Sequence, residues 1–150
     1  MLETILIVLA LKALWVFFAL ASAKFEGHYF DLKYFYGSRG HKNQHPVLNV
    51  IRAIVMVSLT WGTWYQLHWV DSLVFGGSCF FSFSFFHNGM FYCTRNNLSP
   101  EIYKKRWWAN KESGKDDKAA NVEITVGFRT AMFVAAVIAL IWIFRDAYYY

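Results

Sequence analysis

Residues 72–94 read SLVFGGSCFFSFSFFHNGMFYCT and contain no Asp, Glu, Lys or Arg. At a rise of 1.5 Å per residue, about 20 residues cross the hydrocarbon core of a bilayer, so this run has the makings of a spanning helix. Residues 53–70 are equally uncharged. Thr4–Ala23, interrupted by Lys12, and Val122–Phe144, interrupted by Glu123 and Arg129, complete a set of four. A soluble protein can bury such helices, but four of them would leave too little chain to cover them. The composition agrees, with 57% hydrophobic, 21% aromatic and only 17% charged residues, which argues against both a disordered chain and an ordinary soluble domain. The expected fold is all-α: a polytopic integral membrane protein with four transmembrane helices in a single domain over residues 1–150.

The first run ends in ALASA at residues 19–23, small residues of the kind a signal peptidase accepts. A secretory signal carries positive charge ahead of its apolar stretch, whereas this chain begins MLE and keeps Lys12 inside it. The reading is therefore a retained first helix.

The connections carry the charge. Lys24, Lys33, Arg39 and Lys42 fall between the first two helices, and Arg95, Lys104, Lys105, Arg106, Lys111, Lys115 and Lys118 between the last two. The opposite side holds Glu3, a tight turn near Asp71, and the Arg145–Asp146 tail. The positive-inside rule then predicts both termini outside and both long basic loops on the cytoplasmic or matrix side. The net charge of +5 reads as topology and contact with anionic lipid, with no nucleic-acid role.

Trp69-Val70-Asp71-Ser72 is the expected turn of an antiparallel hairpin, with Asp71 or Ser72 accepting from an amide at the start of helix three. Trp61, Trp64, Trp69, Trp142 and Tyr148–Tyr150 suit the outer headgroup zone. Residues 24–46, KFEGHYFDLKYFYGSRGHKNQHP, alternate aromatic and polar groups and suggest a partly ordered interfacial segment. After the third span, Ser99-Pro100-Glu101 has the form of a helix start. Ile102, Tyr103, Arg106 and Trp107 on one face predict a short interfacial cytoplasmic helix, followed by a polar loop over residues 110–121.

Candidate chemistry emerges from depth. Arg52 lies about 8 Å along its helix from Val47, and Arg129 and His87 each lie about 10 Å from the cytoplasmic ends of theirs. With Asn88, Asn49, Glu123 and Glu26, they predict one polar layer in the inner leaflet, where ionisable groups are costly and usually functional. A fork of guanidinium donors at that depth suits an anionic headgroup or a partner carboxylate. Lys12 sits near the middle of its helix and should face other helices, a water-filled path or a partner subunit. The candidate lipid- or partner-binding residues are thus Arg52, His87, Asn88, Arg129 and Lys12. Ser78 and Ser82 share a face suited to close helix packing.

No metal site or cofactor is expected. His41 and His45 are followed at once by Pro46, neither HExxH nor CxxC occurs, and His68 and His87 fall at different depths, which speaks against paired haem ligation. Cys79 and Cys93 suit neither a structural disulfide nor a catalytic thiol. In layout the chain resembles the small four-helix membrane enzymes that conjugate or isomerise lipids with glutathione. That family keeps Arg-Ala on its second helix followed by polar residues. Here Arg52-Ala53 is followed by Ile54-Val55-Met56-Val57, and no catalytic residues carry over. The expected function is a noncatalytic membrane scaffold or accessory subunit, forming a homo-oligomer or joining other membrane subunits. The alternatives are a small membrane enzyme acting on lipophilic substrates and a conducting or membrane-permeabilising oligomer.

Overall fold

A computed structural model describes residues 2–36, 45–98, 100 and 126–149, with side chains described over 2–29, 47–98, 100 and 127–146. Among the described residues there are four helices and no strand: α1 Leu2–Tyr36, α2 His45–Trp64, α3 Trp69–Leu98 and α4 Val126–Tyr149. Each is long and apolar enough to cross a membrane, the pattern of a multi-pass membrane protein.

The helices run further than their apolar runs. With 35 residues, α1 spans about 52 Å, well beyond a hydrocarbon core of about 30 Å. The expected interfacial segment therefore begins as continuous helix through Tyr36. Lys24 and Glu26 interrupt the apolar run without breaking the backbone ladder, because a helix satisfies its own amides in water as well as in lipid. The α2–α3 turn also lies earlier than expected, over residues 65–68. Thr63 O accepts from the amides of Gln66 and Leu67 at 2.9 Å, and the Ser72 amide donates to His68 O at 3.0 Å. Asp71 and Ser72 consequently sit buried in the first turn of α3, and Ser72 Oγ has no hydrogen-bond partner among the described residues. The expected helix after Pro100, the polar loop and Glu123 lie outside the described residues.

Helix α3 is the centre, packed against all three others, while α2 and α4 do not touch each other among the described residues. Among the described residues of α1, Val8, Lys12, Trp15, Ala19, Ala23 and Glu26 are buried at a three-four spacing that forms one coiled-coil-like seam, with buried Gly27 beside its end. That seam lies parallel to α3 in a steady register: Lys12 meets Ser78 and Ser82, the Trp15 indole donates to Cys79 O at 2.7 Å, and Gly27 faces Thr94. Val8, Trp15, Phe75, Cys79 and Ile143 form the apolar core, with Phe18 and Phe83 against the Trp15 ring. Helix α4 returns antiparallel through buried Arg129, Ala136 and Ile143, and Phe133 stacks on Phe85 at 4.2 Å.

Two glycines set the closest crossings. A Cβ at Gly27 would stand 2.9 Å from Thr94 Cβ and 3.3 Å from Phe91 O; one at Gly76 would stand 2.8 Å from Thr60 Oγ1. Small residues let membrane helices approach this closely. Gly27→Ala, pressed against a β-branched side chain and a backbone oxygen, is expected to destabilise the detergent-solubilised protein by about 1–3 kcal/mol. Gly77→Ala, which meets nothing within 4 Å, controls for helix propensity and should not lower the thermal midpoint measured by circular dichroism.

Candidate functional site

The polar layer expected from depth forms, and all four helices contribute. Gly27 brings α1 close to α3, and this sets Glu26 inward, buried, between α2 and α3. From α2, Arg52 Nη2 forms an ion pair with Glu26 Oε1 and lies 2.9 Å from His87 Nε2. Its Nη1 donates to Asn49 Oδ1 at 2.8 Å, one helical turn earlier. The guanidinium carbon stands 4.9 Å over the Phe83 ring, a cation–π contact that holds the fork in plane. Arg52 Nε is buried with no hydrogen-bond partner among the described residues.

His87 is fixed by its own helix. Phe83 and Phe91, one turn to either side, stack on the imidazole with centroids at 4.8 and 6.3 Å. Its Nε2 lies 2.9 Å from Arg52 Nη2 and 3.4 Å from Glu26 Oε2. The neighbour of Nδ1 is Asn88. With its carbonyl oxygen toward His87, Asn88 lies 3.3 Å from Nδ1. With that oxygen toward α4, it accepts from Arg129 Nη1 and Nη2 at 2.7 and 2.6 Å. One amide oxygen cannot do both; the shorter, charge-assisted pair holds it toward Arg129, and the Asn88 NH2 then donates to His87 Nδ1.

The layer thus has more donors than acceptors. Two guanidiniums with five N–H groups each and two side-chain amides face the oxygens of Glu26, Asn49 and Asn88, and the neutral imidazole adds one donor and one acceptor, among the described residues. Such a cluster is chemically suited to an acceptor-only ligand, an anion. Cys79 and Cys93 form no disulfide, and no three His, Cys, Asp or Glu side chains come together among the described residues.

Lys12 is in a separate site at the middle of the α1–α3 seam. Its Nζ donates to Ser82 Oγ at 2.9 Å and Ser78 Oγ at 3.1 Å, and it touches Cys79 Sγ at 3.9 Å. Both hydroxyls spend their own protons on backbone carbonyls, Ser78 on Phe75 O and Ser82 on Ser78 O, each at 2.8 Å. Their lone pairs are therefore committed to Lys12. Of the five candidate residues, the structure brings Arg52, His87, Asn88 and Arg129 together and places Lys12 apart, turned inward. The serines, read as packing residues, are its partners. The signal was present in their i, i+4 spacing, but the register of α1 on α3 was needed to see it.

This geometry makes the two sides of the Lys12 contact unequal. Lys12→Met leaves both serines bonded to the backbone and should cost little, whereas Ser78→Ala with Ser82→Ala strips Lys12 of its acceptors and should cost about 2–4 kcal/mol. Adding Lys12→Met to the double serine variant should recover most of that loss. Thermal unfolding of the three variants checks the order; equal losses in all three would contradict the pairing. In comparisons with known proteins, no family model, no curated protein and no solved structure matches this chain.

Proposed function

We propose that this chain is a noncatalytic multi-pass membrane subunit, a scaffold or accessory protein, whose polar layer binds an anionic group at the inner membrane boundary. The observation that carries the reading is the donor surplus where Arg52, His87, Asn88 and Arg129 converge beside a single described carboxylate, Glu26. Donors without acceptors are costly in a low-dielectric region, and an anion supplies what the chain lacks.

The distribution of basic residues supports an orientation with both termini outside and the two long loops on the cytoplasmic or matrix side. The alternating directions of the four helices fit that arrangement. Outward faces are apolar: α2 presents Val50, Ile51, Ile54, Val57 and Trp61, and its spanning window is only 6% buried within the chain. Such faces suit lipid and the helices of partner subunits, identical or different. The enclosure of Lys12 by Ser78, Ser82 and Cys79 weighs against a conducting path along it.

Native mass spectrometry after mild extraction is the test, because it reads copy number, bound lipid and companion chains together. Arg52→Gln and Arg129→Gln should each be compared with the parent, and at least one should release anionic lipid. Unchanged retention in both would refute the binding reading. Reporters at Lys42 and Lys115 should label from the same face of sealed vesicles; opposite faces would refute the orientation.

A further inference from the structure

Resting on the anion-binding reading, we propose that the ligand is the singly charged phosphodiester headgroup of a membrane lipid, and that Arg129 is the residue that meets it. The two arginines of the layer are not equivalent. The charge of Arg52 is cancelled by Glu26, and its fork is further occupied by His87 and Asn49. The partner of Arg129 is the neutral Asn88 amide, and no carboxylate pairs with Arg129 among the described residues. Asn88 holds the guanidinium by two N–H groups on one oxygen and, being neutral, leaves its positive charge uncancelled.

The charge balance selects the ligand class. Among the described residues of the layer, Glu26, Arg52 and Arg129 sum to one positive charge, and a neutral imidazole adds none. A phosphodiester carries a single negative charge, so it closes the balance. A phosphomonoester carries roughly −1.5 to −2 near neutral pH and would leave excess negative charge against the Glu26 carboxylate.

Placement favours lipid over a soluble ester. Arg129 lies in the first turn of α4, a helix long and apolar enough to cross a membrane, so its guanidinium sits near the end of an apolar segment, at the depth where lipid phosphates lie. Arg129 itself is 9% exposed.

Native mass spectrometry of the intact protein released from phosphatidylcholine nanodiscs, doped equally with phosphatidylglycerol or phosphatidic acid, tests the assignment. Phosphatidylglycerol should be retained about fivefold over both of the others, the scale of one partly screened charge. Arg129→Gln should remove the preference, and Arg129→Lys, which keeps the charge but loses the fork, should retain part of it. Arg145→Gln removes the same charge about 24 Å away along α4 and should leave retention unchanged. Preference for phosphatidic acid would overturn the phosphodiester class while leaving an anion site. Equal retention of phosphatidylglycerol and phosphatidylcholine by the parent would overturn the anion-binding reading itself. Displacement by soluble glycerophosphoglycerol at matched concentration would overturn the lipid as source. Loss of a companion chain, with no lipid change, in Arg129→Gln would overturn it in favour of a partner carboxylate.

Discussion

A charged group in hydrocarbon must find its partner inside the protein, and that constraint orders this bundle. Three ionisable side chains on three different helices, Glu26, Arg52 and His87, meet at one level, and Arg129 from the fourth helix joins through Asn88. Helices α2 and α4 do not touch, yet both deliver an arginine to neighbouring residues of α3. The layer is thus the level at which the four helices are tied together by polar contacts, while aromatic and aliphatic contacts elsewhere are less particular about register. Dispersion and small-residue packing hold membrane helices close, but hydrogen bonds with fixed geometry decide which turns face each other.

How much of this was legible in the sequence follows from what each signal encodes. Hydropathy reports where lipid can replace water, so the four spans around residues 4–23, 53–70, 72–94 and 122–144 were readable. It does not report where a helix ends, and α1 accordingly continues through Tyr36. Depth along a helix is also arithmetic, which is why Arg52, His87, Asn88 and Arg129 could be assigned to one level before their azimuths were known. Azimuth was not readable: α1 has almost no contrast between its faces in hydrophobicity, since Leu6, Leu14 and Phe17 point outward while Lys12 and Glu26 point inward. In a soluble protein the polar side of a helix marks its surface; in a membrane the same pattern is inverted, and Lys12 could be placed only by a partner helix.

The separation of Lys12 from the layer is itself explained by register. Lys12 and Glu26 are fourteen residues apart on one seam, two heptads, and both bond to α3 or its neighbours. A coiled-coil seam of Val8, Trp15, Ala19 and Ala23 alone would tolerate sliding by a turn, because small and aromatic residues recur along it. A buried polar residue at one such position fixes register by making every other alignment leave it unsatisfied. A slide of one turn, about 5.4 Å, would carry Lys12 away from the Ser78 and Ser82 lone pairs and Glu26 away from Arg52 and His87 together. Lys12 therefore contributes to the polar layer without touching it. It holds α1 at the height where Gly27 can pass Thr94 and Glu26 can neutralise one arginine, while the other arginine is held through the neutral Asn88 amide.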